Sequence, residues 1–254
     1  MAEYTIVMVR HGESEFNKLN KFTGWCNVNL TEKGVMQARK AGQDLKKSGY
    51  TFDKAYTSVL NRAIKTLDYI LEEVDQTDLL VEKSWRLNEM HTGNPTGCIK
   101  SEVRAEYGVA QVKTWNRGYN NPPPAMTEEH PYHDLIINDP AYSEGPAEEE
   151  FPMVESLKNA LDRALPYWND VIIPSLSPGD RVLIVAHSNL LRGIIKYLNN
   201  ISDNDIVDLN LPNGVPFVYK LDQNHEPIVS MKFLGETDYL PSNLRHKIVA
   251  NGVI

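Results

Sequence analysis

The chain has 254 residues, of which 41% are apolar, and a formal net charge of −8. This length and apolar content fit a single domain, residues 1–254, with one substantial core. The acidic balance is the opposite of the basic surface that a nucleic-acid-binding protein needs. An anionic ligand would therefore require a local basic pocket. No apolar run reaches the roughly 18 residues that span a bilayer, and residues 1–10 lack the pattern of a signal peptide.

The two cysteines point to a reducing compartment. Cys26 and Cys98 are far apart and have neither the paired spacing of a zinc site nor that of a disulfide framework. Free thiols persist in the cytosol, where disulfides are rare. We therefore expect a cytoplasmic protein that binds neither nucleic acid nor membranes.

Strands and helices alternate along the chain. Short apolar and β-branched runs predict strands at residues 4–9, 54–57, 79–82, 181–186, 216–221 and 228–233. Apolar residues at helical spacing predict helices from Thr31 to Gly49, over residues 61–71, from Ser156 to Trp168 and over residues 189–198. Pro166 should kink or locally break the third of these helices. The alternation predicts an α/β fold with three layers, in which helices flank a mostly parallel central sheet.

Two segments lack this regularity. Residues 119–155 are rich in proline and acidic residues, and between residues 119 and 152 there is no lysine or arginine, so we interpret the segment as an irregular excursion from the domain. The residues from about 238 onwards are predicted to be a mobile tail.

Two histidines follow directly after predicted strands. His11 comes after the first strand, and His187 follows residues 181–186. Ligands of open parallel sheets bind beyond the carboxyl ends of the strands, so both imidazoles could converge on one crevice. A phosphoryl acceptor needs a nucleophile and a clamp for charged oxygens. Arg10 and Arg62 are candidates for the clamp, because a guanidinium binds phosphate bidentately.

An ordered set of motifs carries a resemblance to a known family. The motifs are Arg10-His11-Gly12-Glu13-Ser14, Asn17-Lys18, Phe22-Thr23-Gly24-Trp25, Tyr56-Thr57-Ser58-Val59-Leu60, Trp85-Arg86-Leu87-Asn88-Glu89, Pro166-Tyr167-Trp168-Asn169 and Pro212-Asn213-Gly214-Val215-Pro216. Together they resemble the cofactor-dependent phosphoglycerate mutases of the histidine phosphatase superfamily. The resemblance extends to Gly235 and implies a phosphoglycerate mutase-like fold.

The resemblance also implies roles for individual residues. His11 would carry the phosphoryl group, Arg10, Arg62 and His187 would surround its oxygens, and Glu89 would be the general acid and base. The residues implied to hold the substrate are Asn17, Thr23, Gly24, Lys100, Arg117, Ser188 and Asn189. The implied cofactor is 2,3-bisphosphoglycerate as a primer, with no metal. The implied partners are a small phosphorylated metabolite and further copies of the chain in a homodimer or homotetramer.

Several positions depart from the family pattern. Met90, Thr92 and Asn116 stand where relatives typically have arginine, tyrosine and arginine, and Ser188 stands where they have glycine. These departures leave three functions open. The first is a mutase that interconverts 3-phosphoglycerate and 2-phosphoglycerate in glycolysis and gluconeogenesis. The second is a phosphatase that uses the same scaffold, and the third is a non-catalytic relative that binds phosphorylated metabolites or a partner protein.

Overall fold

A computed structural model of the protein describes residues 3–234 and 239–249. Six strands are present in this part of the chain: β1 (Tyr4–Arg10), β2 (Lys54–Thr57), β3 (Val81–Lys83), β4 (Arg181–Ala186), β5 (Pro216–Leu221) and β6 (Pro227–Phe233). The α-helices are α1 (Glu15–Lys18), α2 (Glu32–Lys47), α3 (Asn61–Glu73), α4 (Lys100–Tyr107), α5 (Val109–Arg117), α6 (His133–Ile137), α7 (Leu157–Tyr167), α8 (Ser188–Asn199) and α9 (Ser242–Val249). None of the helices in these residues is long and apolar enough to cross a bilayer.

The strands form one sheet in the order β3-β2-β4-β1-β5-β6. The pairs β2–β3, β2–β4 and β1–β4 are parallel, whereas β5 is antiparallel to β1 and to β6. In the β1–β4 pair, the last residues of the two strands, Arg10 and Ala186, are direct partners. The residues that follow them therefore lie side by side at the carboxyl ends of the strands, which we call the carboxyl edge of the sheet.

The strand residues alternate between two apolar clusters, one on each face of the sheet. Ile6 and Met8 face a cluster that includes side chains of α7 and α8, whereas Val7 and Val9 face a cluster that includes side chains of α2 and α3. This alternation follows from the two-residue period of a strand. It gives three layers, so the predicted fold class, with its mostly parallel sheet, is confirmed.

Helix boundaries follow the local signals closely. Thr31 and Ser156 cap the N-termini of α2 and α7 through their side chains. Helix α7 ends one residue after Pro166 and continues as a π-helical segment, Trp168–Ile172. This irregularity agrees with the predicted disruption, because proline cannot donate the backbone hydrogen bond of a helix interior.

The predicted tail differs from the structure. Residues 242–249 form α9, and Leu244 and Ile248, one helical turn apart, are buried in the cluster on the α7–α8 face. A mobile tail is thus the wrong prediction for this helix, because its two apolar side chains are covered by the main core. The remaining tail residues, 238 and 250–254, lie outside the described residues.

The excursion at residues 119–155 is irregular but anchored. It contains the short helix α6 and brief 3₁₀ turns. Met126, Ile136 and Tyr142 are buried in a cluster with Trp25 and Leu60. The excursion is therefore held against the loops that follow β1 and β2.

Candidate active site

The two predicted histidines lie side by side at the carboxyl edge of the sheet. The backbone N–H of His11 donates to the carbonyl of Ala186 at 3.0 Å, and His187 follows Ala186 directly. The ring centroids of His11 and His187 are 5.1 Å apart. The parallel pairing of β1 with β4 thus brings together two residues that are distant in sequence.

The environment of His11 leaves one ring nitrogen available. The side chain is 3% exposed, and Nδ1 lies 2.7 Å from the carbonyl oxygen of Gly12. Because a carbonyl only accepts, Nδ1 carries the proton and Nε2 keeps a free lone pair. Burial, followed by the charges of Arg62 and Arg10, holds the pKa of His11 well below its ordinary value. A neutral imidazole of this kind can act as a nucleophile.

Close backbone packing fixes the position of Gly12. A Cβ atom at this residue would lie 2.3 Å from the carbonyl oxygen of Gly34 at the start of α2. No other residue fits there unless α2 moves. Glycine at this position therefore lets the loop after β1 pass against α2.

His187 is fully buried beside His11. Its Nε2 lies 2.7 Å from the Ser58 hydroxyl, and its Nδ1 has no hydrogen-bond partner among the described residues. Burial is the main cause that holds the pKa of His187 well below its ordinary value, with Arg62 and His11 adding to the effect. Within the described residues, the hydrogen-bonding capacity of this buried Nδ1 is therefore unused.

Backbone carbonyls orient the two predicted clamp arginines. Arg62 donates to the carbonyl oxygens of Cys26 and Gly24, both at 2.8 Å, and Arg10 donates to that of Leu211 at 2.6 Å. Burial lowers the pKa of both guanidinium groups, that of Arg62 to about 10. Since these carbonyl acceptors carry no net charge, the contacts orient the arginines without neutralising them.

Glu89 follows a 3₁₀ turn, Trp85–Leu87, and is 9% exposed. Its Oε1 accepts from the backbone N–H of Asn189 at 3.0 Å and from that of Met90 at 2.9 Å. The Asn189 amide belongs to the first turn of α8, where a carboxylate is favoured by the helix dipole. Glu89 therefore reaches the start of the helix that follows His187.

A cavity of about 240 Å³ opens at this edge of the sheet. It is lined by Arg10, Glu89 and all of the predicted substrate-binding residues, which are Asn17, Thr23, Gly24, Lys100, Arg117, Ser188 and Asn189. His11, Arg62 and His187 are almost completely buried next to these residues. The structure thus brings all the predicted site residues into one region of the molecule.

Four further residues line the cavity: Phe22, Thr92, Asn116 and Asn210. Phe22 lies within a motif quoted above, and Thr92 and Asn116 are departures from the family pattern. Asn210 was not predicted; its only signal in the sequence is its place two residues before Pro212-Asn213-Gly214. We call the five lining residues Thr92, Lys100, Asn116, Arg117 and Asn210 the outer wall.

The departures from the family pattern do not lie together. Thr92 and Asn116 line the cavity. The side chain of Met90 is 2% exposed and belongs to the apolar cluster on the α7–α8 face. Met90 is therefore a core residue, whereas Thr92, Asn116 and Ser188 line the cavity and can contact a ligand directly.

Two cations belong to the outer wall. The ammonium group of Lys100 lies 5.6 Å from the ring centroid of Phe22, and burial is the main cause that lowers its pKa, with the charge of Arg10 adding to it. Arg117 donates to the carbonyl oxygens of Val207 and Leu209, at 3.0 and 2.5 Å. Both cations are positioned to meet an anionic group of a ligand.

Solved structures with the same fold include phosphatases and a mutase. The native structure of a mycobacterial glucosyl-3-phosphoglycerate phosphatase has a TM-score of 0.68 at 19% identity, and the match covers 94% of this chain and 100% of that chain. A structure called mycobacterial hydrolase 1 has a TM-score of 0.67 at 19% identity, with the same coverage. A phosphoglycerate mutase from Bacillus anthracis has a TM-score of 0.65 at 23% identity and coverage of 91% and 92%. A family model describing the histidine phosphatase superfamily (branch 1) matches residues 6–136 and 138–233. The chain therefore belongs to the histidine phosphatase superfamily, branch 1.

Proposed function

We propose that the protein is a phosphatase that hydrolyses small phosphomonoesters through a phosphohistidine at His11. The observation that carries this proposal is the contrast within one cavity. The buried His11, His187 and Arg62 adjoin the cavity residues Arg10, Ser188 and Gly24 in sequence or by a hydrogen bond. The outer wall, in contrast, has neutral Thr92, Asn116 and Asn210 beside two cations. Such a cavity suits a phosphomonoester substrate with a single phosphoryl group. The remainder of that substrate would carry hydroxyl groups and one anionic group.

In the first step, the free Nε2 lone pair of His11 attacks the phosphorus atom, and the ester P–O bond breaks. Glu89 acts as the general acid and gives a proton to the leaving oxygen, which departs as an alcohol. In the second step, water attacks phospho-His11 and the P–N bond breaks. Glu89 accepts a proton from that water and returns to its starting form, so the products are the alcohol and inorganic phosphate.

The surrounding groups stabilise the charge of the transferring phosphoryl group. Arg10 and Arg62 are oriented by neutral carbonyls and keep their charge for its oxygens. The unpartnered Nδ1 of His187 can donate a hydrogen bond to the same group. Preorganised donors of this kind contribute most of the rate enhancement in many enzymes.

A primed mutase is the second candidate, because Lys100 and Arg117 could hold a second anionic group. 2,3-Bisphosphoglycerate carries a carboxylate and a second phosphate beyond the transferring phosphoryl group. Two cations, neutral Asn116 and Thr92 and a core-buried Met90 provide few charged donors for both groups. A bisphosphorylated intermediate would then dissociate before reorienting, so we expect hydrolysis to exceed isomerisation.

The test follows phosphate release and isomer formation in the same sample of 3-phosphoglycerate, with and without 2,3-bisphosphoglycerate, and includes glycerol and sugar phosphates. We expect phosphate release without the primer and an acid-labile phosphate on His11 by mass spectrometry. His11→Asn should abolish the adduct and lower activity at least about 10⁴-fold. His225→Asn, in the turn between β5 and β6, is the matched control. Primer-dependent isomerisation that exceeds hydrolysis would favour the mutase, and an adduct that persists in His11→Asn would contradict both functions.

A further inference from the structure

The short segment that presents Glu89 is held by a buried ion pair from another part of the chain. Arg163 of α7 and Glu155, just before α7, contact each other at 2.7 Å, and their side chains are 8% and 4% exposed. We propose that Arg163 and Glu155 are positioning residues that fix the carboxyl group of Glu89 for proton transfer. This inference rests on the proposed function of Glu89 in phosphate ester cleavage.

Arg163 binds the backbone of the segment along most of its length. Nη1 donates to the carbonyl oxygens of Trp85 and Arg86 at 3.1 and 2.8 Å. Nη2 donates to those of Asn88 and Glu89 at 3.2 and 3.3 Å. One guanidinium therefore fixes four carbonyl groups, which only a planar fork with several donors can do.

Glu155 holds the end of the same segment. Its Oε2 accepts from the backbone N–H of His91 at 2.9 Å, and its own N–H donates to the carbonyl of His91 at 2.9 Å. Its two carboxylate oxygens also bind Nε and Nη2 of Arg163. The ion pair thus fixes the backbone on both sides of Glu89.

The contacts converge on the residue that would transfer the proton. The carbonyl of Glu89 accepts from the Trp25 indole N–H at 2.6 Å as well as from Arg163. Its carboxylate accepts from the backbone N–H groups of Asn189 and Met90. With its backbone and its carboxylate both fixed, Glu89 can move little relative to a bound phosphate ester. A displacement of about 1 Å can cost a catalytic group about 10²-fold in rate.

A purely structural role explains these contacts less well. Buried ion pairs contribute little net stability, because desolvation offsets their attraction. Among the described residues, the side-chain hydrogen bonds of Arg163 go either to the segment from Trp85 to Glu89 or to Glu155. The Arg163 guanidinium also lies over the buried Trp25 ring, 5.3 Å from its centroid, and Trp25 itself donates to the Glu89 carbonyl. The hydrogen bonds of the pair are therefore directed at the segment that carries Glu89.

Leaving-group dependence separates positioning from folding. An alkyl phosphate needs its leaving oxygen protonated, whereas p-nitrophenyl phosphate releases a stabilised phenolate without a proton donor. The quantity to compare is kcat/KM, which reports on the transfer to His11. We expect Arg163→Met combined with Glu155→Gln to lower kcat/KM about 10²-fold for glycerol phosphate and less than about threefold for p-nitrophenyl phosphate. The paired change leaves no unpaired buried charge, and Arg163→Lys, which keeps the charge but not the fork, should show a smaller selective loss.

Glu89→Gln is the reference, because it should show the same selectivity. Adding the paired change to Glu89→Gln should then cost little more, since residues that act through one another are not additive. Lys158→Met, which removes an exposed cation from the same helix, should leave kcat/KM unchanged for both substrates. Equal losses for both substrates, or full additivity with Glu89→Gln, would overturn the positioning role alone. If Glu89→Gln itself lacks the selectivity, the proposed role of Glu89 fails, and the positioning role fails with it.

Discussion

The two ends of the cavity are built in different ways. By the phosphate end we mean Arg10, which lines the cavity, and the buried His11, His187 and Arg62 next to it. These residues stand at strand ends or in the first turn of a helix, and the three buried side chains are at most 3% exposed. The outer wall comes from loops and from the ends of the short helices α4 and α5. Under the proposed function, the residues at the carboxyl ends of the strands would carry the reaction chemistry, and the loops would contact the remainder of the substrate.

After the loss expected for His11→Asn, the largest expected effect comes from Arg62 at the phosphate end. Arg62→Lys keeps the charge but loses the planar fork that binds the carbonyls of Cys26 and Gly24. We expect kcat/KM to fall about 10²- to 10³-fold for every phosphomonoester, because the clamp acts on the shared phosphoryl group. Arg181→Lys, at the amino-terminal end of β4 and so at the opposite end of the strands, is the matched control. A loss confined to one substrate would show that Arg62 belongs functionally to the outer wall.

The next largest effect is on stability and tests whether Met90 belongs to the core or to the outer wall. Met90→Arg should lower the free energy of unfolding by about 3–5 kcal/mol, because it places an unpaired charge in an apolar cluster. Met90→Leu should cost less than about 1.5 kcal/mol. Urea denaturation of the two variants measures both values. If Met90→Arg is as stable as Met90→Leu, the guanidinium reaches a polar environment. Met90 is then closer to the cavity than its burial indicates.

A change at the outer wall should alter selectivity and leave the fold intact. Asn116→Arg adds one cation beside Lys100 and Arg117. A charged hydrogen bond is worth about 1.5–3 kcal/mol, so the KM for 3-phosphoglycerate should fall about tenfold or more. The ratio of isomer to phosphate should rise in the same assay. Asn116→Gln, which adds length but no charge, should leave both quantities unchanged. No change in Asn116→Arg would mean that the wall does not set selectivity.

The smallest expected effect is a pH dependence of stability. Burial holds the pKa of His91 at about 3, so this side chain is neutral in the folded protein and binds a proton when it unfolds below about pH 6.5. Stability is therefore lost as the pH falls below that value, by about 1.4 kcal/mol per such histidine between pH 7.5 and 5.5. His91→Asn keeps an acceptor for the N–H of Gly93. Urea unfolding at pH 7.5 and 5.5 measures how much stability each protein loses between these values, and the loss should be smaller in this variant than in the parent protein by about 1.4 kcal/mol. An equal loss in both proteins would contradict a neutral His91 in the folded state.

The phosphate end was predictable because its signals are local. A buried run ending in Arg10-His11-Gly12 indicates a strand and its carboxyl end, and the run before His187 does the same. Lys100 and Arg117 of the outer wall followed only from the family resemblance, since α4 and α5 were not predicted, and Asn210 was not predicted at all. The role of Arg163 depends on carbonyls 74 to 78 residues earlier in the chain. No periodicity or capping signal encodes such a long-range contact, and none distinguishes core-facing Met90 from wall-facing Thr92.

The arginines at the phosphate end have a consequence for the protein without its substrate. Arg10 and Arg62 are oriented by the neutral carbonyls of Leu211, Cys26 and Gly24. Keeping like charges close together in a buried site costs free energy, which a bound dianion would recover. Stability is thereby coupled to occupancy: an oxyanion at 100 times its Kd should add about 2.7 kcal/mol to the free energy of unfolding. Under the proposed function, the charge that would serve catalysis would also make the free energy of unfolding depend on the concentration of phosphate esters.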